Sequence, residues 1–407
     1  MNKKIIRQFL IALCFLSIVV FTFSFAQAQA DEKLIQRGNA RSYKVYDATP
    51  VILDGPFLLD TSETSTTIEW ITDTPCQGSV EYGESKPNHD EIPQKDGLIP
   101  VGTLHRTEIT GLLPGHTYQY RLISTRVVRL RPYYADKGHS LESPAYSFTT
   151  LDRAKPSISF SVITDTHEDV QRIDALMGMI DWKTTDFLVH EGDGVDWVEN
   201  QDQLFDKWLR PLSEGLAHTK PLVYARGNHD MRGPFARSLG SYLSSAEGRF
   251  YFTRDDGPVH LIVVDTGEDK PDNNNEYSGL IADAPYREEE YSWLRDLPST
   301  DKRMSEAPFR VIVMHQPEWG WLNGENDKWT RLANQEHVDL VIAGHLHKFA
   351  YIQPGQGPGD NHFPILVVGQ DQVARVDATS KELKVTVTAR DGSIVDSFVV
   401  PRSSRER

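Results

Sequence analysis

Between residues 50 and 150, apolar and polar positions alternate with a period of two. The runs TTIEWIT (Thr66–Thr72), GSVEYG (Gly78–Gly83) and HRTEITGLLPGHTYQYRLIS (His105–Ser124) each place apolar side chains on one face, as half-buried strands do. Gly111 and Pro114-Gly115 mark a turn inside the last run. Short strands separated by turn signals predict a β-sandwich that closes at AYSFTTLD, with RAKP (Arg153–Pro156) as a linker. Past Lys155 the pattern changes. SISFSVITD, DFLVHEGD, PLVYARGNHD, HLIVVDT, FRVIVMHQP and VDLVIAGHLH are continuous apolar runs, each reaching a polar tip. Helical patterning at 170–182, 202–216 and 287–297 lies between several of them. Apolar strands alternating with helices predict an α/β fold whose sheet is covered on its faces by helices. ILVVGQ, KELKVTVTARDG and IVDSFVV return to alternation around a turn at Asp391-Gly392, and are expected to complete a second sheet or a terminal hairpin.

The N-terminus departs from both patterns. Lys3, Lys4 and Arg7 precede an almost wholly apolar stretch from Phe9 to Phe25, followed by Ala28-Gln29-Ala30. That order predicts a secretory signal peptide over residues 1–30, and hence a secreted or periplasmic protein with no membrane attachment after cleavage. The alternative is an uncleaved membrane anchor, since the apolar run nearly reaches spanning length. Removing the leader also removes Cys14 and leaves Cys76 alone, so any site chemistry must use oxygen and nitrogen donors. A formal net charge of −15 over 407 residues argues against a nucleic-acid-binding surface.

The tips of the apolar runs carry the candidate chemistry. They present Asp165 and His167 (TDTH), Asp193 (EGDG), Asn228, His229 and Asp230 (RGNHD), His315 (MHQP), and His345 with His347 (AGHLH). In open α/β sheets, ligands gather beyond the carboxyl ends of the strands. A lone H-x-H is weak evidence, but metal-capable residues recurring at one strand end after another point to a shared centre. Gly192, Gly227 and Gly344, just before ligands, are expected to ease the sharp exit from strand to ligand.

This ordered set resembles the calcineurin-like metallophosphoesterase family, whose pattern is D-x-H, G-D, G-N-H-[D/E], H and G-H-x-H; every block is present between Ser157 and Tyr351. The resemblance implies an αββα core holding two divalent ions (manganese, zinc or iron). Asp165, His167 and His347 would hold one ion and Asn228, His315 and His345 the other, with Asp193 bridging. Two cations about 3.5–4 Å apart stabilise attacking and leaving oxygens together and lower the pKa of a bridging water, so that a hydroxide can attack a phosphate ester. His229 would act on the substrate, protonating the departing oxygen with Asp230 orienting its ring, and Arg232 is a candidate phosphate contact.

The early Trp, L-P-G-x-x-Y-x-Y and terminal F-T-T resemble the fibronectin type III-like N-terminal domain of purple acid phosphatase-like proteins. The implied division is a signal peptide (1–30), a fibronectin type III-like domain (45–152) and a metallophosphoesterase domain (156–400). One departure matters. Purple acid phosphatases carry an iron-binding tyrosine three residues after the bridging aspartate, and here that position is Asp196. They also lack the D-x-H histidine, present here as His167. A colourless enzyme acting on small phosphorylated substrates is therefore expected, with phosphomonoesters preferred. A phosphodiesterase or nucleotidase on the same core, and a non-catalytic extracellular binding protein, are the alternatives. Trp319, Trp321 and Trp329 are expected either to wall a substrate pocket or to pack on the N-terminal unit, and the polar insert 267–286 to form a loop near the active-site mouth.

Overall fold

The computed structural model describes residues 32–37, 41–46 and 49–402, apart from 217, 246, 321–325 and 358. The proposed signal peptide and Trp321 lie outside the described residues. Two sheets stack face to face in the larger, C-terminal part. One runs through the parallel strands Ser157–Ile163, Phe187–His190 and Pro221–Tyr224. The other is six-stranded among the described residues, and its parallel centre is Val259–Val263, Phe309–Val313, Leu340–Ala343 and Ile365–Val367. Each strand points alternate side chains to opposite faces, so its residues divide between two cores. Phe160, Val162, Phe187 and Val189 meet Val311, Val313, Leu340 and Ile342 between the sheets. The intervening residues face helices. Ile163, Leu188 and Leu222 pack beneath Val170–Met179 and the helical turns of 201–215. On the other side, Ile262, Ile312 and Val341 are covered by Asp283–Thr300 and Asn326–Gln335. The order is helix, sheet, sheet, helix, as expected.

Three late strands, Gln372–Thr379, Glu382–Ala389 and Ile394–Pro401, form an antiparallel meander. It extends the first sheet at Ser157–Ile163, whereas Ile365–Val367 joins the second. The meander thus enlarges the first sheet instead of completing the second.

The N-terminal part is all strand. Ser65–Gly83 shifts register between Ile71 and Cys76 while staying paired with Val101–Thr110; its first part also pairs with Ile52–Leu59 and its second with Thr117–Leu130. Its two halves enclose Ile68, Trp70, Val80, Tyr120, Leu122 and Phe148. Leu58 and Leu59 pair in parallel with Pro221 and Leu222, so the N-terminal strands continue the first of the two stacked sheets. Arg210 reaches Asp54, Arg254 reaches Asp60, and Tyr120 Oη donates to the carbonyl of His218 at 2.7 Å, which stiffens the junction. Trp319 and Trp329 stack at 5.8 Å inside the helix-covered core of the second sheet. Both side chains are fully buried there. Their aromatic area is worth more in a core than beside a charged cleft.

Candidate metal centre

Every strand-end segment singled out in the sequence converges on one rim. Asp165, His167, Asp193, His345 and His347 all have left-handed backbone, with φ between 45° and 68°. Such values are uncommon for residues with a Cβ and persist where the surroundings over-determine them, typically at functional sites. Gly192 does supply a positive φ of 86°. Gly227 and Gly344 serve close approach instead, because a Cβ there would strike Asp193 and Thr164 respectively.

Among the described residues the donors form three groups: two share Asp193, and the third is His167, Asp196 and His229. Asp165, His167, Asp193 and His347 offer ligand atoms that all lie within 4.8 Å of one another, and so do Asp193, His315 and His345. In the first group, His167 Nε2 and His347 Nε2 approach to 3.1 Å, and His347 Nε2 lies 3.3 Å from Asp165 Oδ1. In the second, His315 Nε2 lies 3.1 Å from Asp193 Oδ2. Asn228 is buried beside them, and the backbone N–H of its neighbour His229 donates to Asp193 Oδ1 at 2.9 Å.

Buried polar atoms ordinarily find hydrogen-bond partners, and leaving one unmade costs about 1–3 kcal/mol. Here Asp165 Oδ1, His315 Nε2 and both polar atoms of the Asn228 side chain are buried without one. Their unmet demand, the facing imidazole nitrogens and the thiolate-free donor set all fit divalent cations. The outer nitrogens are already committed. His315 Nδ1 donates to the Glu191 carbonyl at 2.7 Å, and His167 Nδ1 meets Asp196 Oδ1 at 2.8 Å. Each contact fixes a tautomer that turns the Nε2 lone pair inward, the usual support of a metal-binding histidine.

The electrostatics agree. Burial works against a charged His315, but the Asp193 and Asp165 carboxylates override it and push its pKa up to about 10. Burial would raise Asp193, yet the neighbouring His315 and His229 hold it well below the usual carboxylate range. The rim concentrates negative charge that a cation would balance. Burial, helped by the neighbouring His315 charge, outweighs the carboxylates and takes His345 the other way, down to about 4, leaving it neutral and available as a ligand.

Two expectations need correcting. Asp230 does not orient His229. Its carboxylate accepts from the backbone N–H groups of Asp193 (3.0 Å), Gly194 (3.1 Å) and Gly227 (3.0 Å) and from Tyr224 Oη (2.7 Å). It ties the Asp193 loop to the Asn228 loop, a task suited to a buried acceptor with two oxygens. The His229 ring is held instead by the backbone carbonyl of Asp196, 2.8 Å from Nδ1. Arg232 is no free phosphate clamp either: its guanidinium is engaged by Glu268 and Asp269, with NH1 3.4 Å from His229 Nε2. Glu268 and Asp269 belong to the polar insert, which does reach the site, through this contact.

Sequence reasoning missed Asp196 as a partner of His167, noting it only as a non-tyrosine. The spacing held a signal, since a carboxylate three residues past the bridging position falls beside the D-x-H loop. His190, buried and accepting from Trp208 Nε1 at 3.1 Å, stands behind the rim and not in it.

Residues 158–349 match the family model of the calcineurin-like phosphoesterases. The chain carries a calcineurin-like phosphoesterase domain. It is accordingly a metal-dependent phosphoesterase in class. Among solved structures, purple acid phosphatase PPD1 from yellow lupin (Lupinus luteus) seeds is similar over 91% of this chain and 79% of its own, at 15% identity and a TM-score of 0.63. PhoD is similar over 86% of this chain and 91% of its own, at 11% identity and a TM-score of 0.57. At those identities the likeness is one of fold. No curated protein matches the chain. Among the described residues, no helix is long and apolar enough to cross a membrane.

Proposed function

We propose that the chain is an exported binuclear-metal phosphoesterase that hydrolyses small phosphate esters, with monoesters preferred. The observation carrying this reading is the paired donor set that shares Asp193, with inward-facing atoms left without partners. Asp165, His167 and His347 would hold one divalent ion, Asn228, His315 and His345 the other, and Asp193 both. Bound there, the ions would supply a nucleophile at neutral pH and neutralise charge at phosphorus.

The chain's own residues do the rest. Asp230 and Tyr224 hold the two ligand loops in register, and Asp196 holds His167. With His229 Nδ1 tied to a backbone carbonyl, Nε2 is the nitrogen left to pass a proton to the departing alcohol oxygen, a general-acid role. Arg232 NH1 lies 3.4 Å from that nitrogen, and Glu268 and Asp269 fix the guanidinium there, so it helps to hold the ring in place.

The division into a signal peptide (1–30), a fibronectin type III-like unit (45–152) and a catalytic domain (156–400) belongs to the same reading. It rests on the leader pattern and on the all-strand N-terminal part. Two divalent ions and no colour are expected, because Asp196 occupies the position of the iron-binding tyrosine and is engaged with His167. Metal analysis combined with turnover of p-nitrophenyl phosphate and bis-p-nitrophenyl phosphate tests the proposal. About two ions per chain and faster monoester hydrolysis would support it. Preference for the diester would make the chain a phosphodiesterase, and inactivity after metal is restored would favour a binding protein.

A further inference from the structure

A groove of about 440 Å³ adjoins the metal rim and shares His347 with it. Its other walls include Lys348, Phe349, Asp371, Gln372 and Arg390. The protein as a whole is strongly acidic, yet this groove carries the cations Lys348 and Arg390, the latter also donating from NH2 to the Gln171 carbonyl at 3.4 Å, beside carboxylates that are engaged through one oxygen each. Asp371 is engaged by Arg172 at 3.3 Å and by Arg390 at 3.6 Å. Asp391, also on the wall, accepts from its own turn, at 2.9 Å from Ser393 N and 2.6 Å from Ser393 Oγ. Gln372 Oε1 accepts from Gly369 N at 3.0 Å, which leaves its amide NH₂ as a donor. Lys348 is exposed and has no partner among the described residues.

An unpaired ammonium beside a half-engaged guanidinium and a free amide donor makes a receptor for an anion. Its place next to His347 means that an ester reacting at the metals would lay its non-reacting part along this groove. We infer that the preferred substrates carry a second anionic group, a phosphate or carboxylate borne on the alcohol portion, which Lys348 and Arg390 receive. This deepens the phosphoesterase reading above and rests on it. Charge-assisted hydrogen bonds to phosphate are strong enough to discriminate about tenfold between esters with and without the second anion. Phe349, packed at the edge of the inter-sheet core, gives the groove a fixed apolar wall.

The test is a ratio of specificity constants on the metal-loaded full chain: initial phosphate release from glucose 1,6-bisphosphate against release from glucose 6-phosphate. The wild-type ratio is expected near ten or above. Lys348→Glu should lower it about tenfold, Arg390→Glu should lower it independently, and Lys348→Arg should retain it. Lys348 is exposed, so its reversal leaves the fold intact even if the Arg390 variant, which loses the Asp371 contact, does not. A wild-type ratio near one, or a ratio unmoved by Lys348→Glu, overturns the inference while leaving the phosphoesterase reading standing. If neither ester releases phosphate, the phosphoesterase reading falls and takes this inference with it.

Discussion

His105 and His315 are both buried, yet their surroundings drive them in opposite directions. In the N-terminal unit, His105 stacks on Trp70 at 5.0 Å and meets Thr72 Oγ1 at 2.9 Å, and burial pushes its pKa down to about 4. On the catalytic rim, His315 faces two carboxylates that push it up to about 10. The first histidine is a neutral packing element whose hydrogen bond is complete. The second is one of several polar groups whose demands converge and remain unmet. Incompleteness alone does not mark a site. Glu69, in the N-terminal unit, is also buried, with Oε2 unpartnered and Arg106 no nearer than 3.9 Å. It stands alone, however, whereas the rim brings an aspartate oxygen, an asparagine amide and an imidazole nitrogen together. Convergence separates a site from a local fault.

Replacing the shared residue should break the contrast most severely. Asp193→Ala removes a donor from both groups, so bound metal should fall below one ion per chain and phosphate release by at least ~10³-fold. Elemental analysis alongside turnover checks this. Next in size, His229→Ala should keep its metal but lose about 10²–10⁴-fold in turnover of esters with poor leaving groups, and far less with p-nitrophenol as leaving group. An equal loss for both leaving groups would contradict the general-acid role.

Asp196→Ala frees His167 Nδ1 and should weaken metal affinity by about 10–100-fold, as loss of such supporting carboxylates does. Titration with a competing chelator measures that. The smallest effect belongs to the other side of the comparison. Burial pushes Glu69 up to about 8, against an ordinary value of 4.5, with Arg106 too weak to compensate. A raised acid is fully compatible with the fold below its unfolded pKa, and that stability is lost as pH climbs from about 4.5 through about 8. Glu69→Gln should therefore gain a few degrees in melting temperature relative to wild type at pH 9 and little at pH 4, without affecting metal content.

The candidate ligands were legible in the sequence because each sits where an apolar run meets a polar tip, a local pattern that survives without knowledge of the fold. The helices expected at 170–182 and 287–297 are found at Val170–Met179 and Asp283–Thr300. What escaped was non-local. Nothing in Leu58-Leu59 announces its pairing with Pro221-Leu222, and nothing in 372–379, the first of the three late strands, announces its pairing with Ser157–Ile163. The role of Asp230 was misjudged because adjacency to His229 in sequence suggested contact, whereas the tight turn after Asn228 sends the two side chains apart. Asp230 goes inward to backbone N–H groups and His229 outward to a carbonyl. Arg232 went the same way: its partners Glu268 and Asp269 come from a loop far along the chain.

Anomalous diffraction from crystals grown with manganese tests the central claim most directly. The account predicts two peaks in the rim, one among Asp165, His167 and His347 and one among Asn228, His315 and His345, with the Asp193 carboxylate touching both. A single peak, or an empty rim with His315 still paired to Asp193, would contradict it.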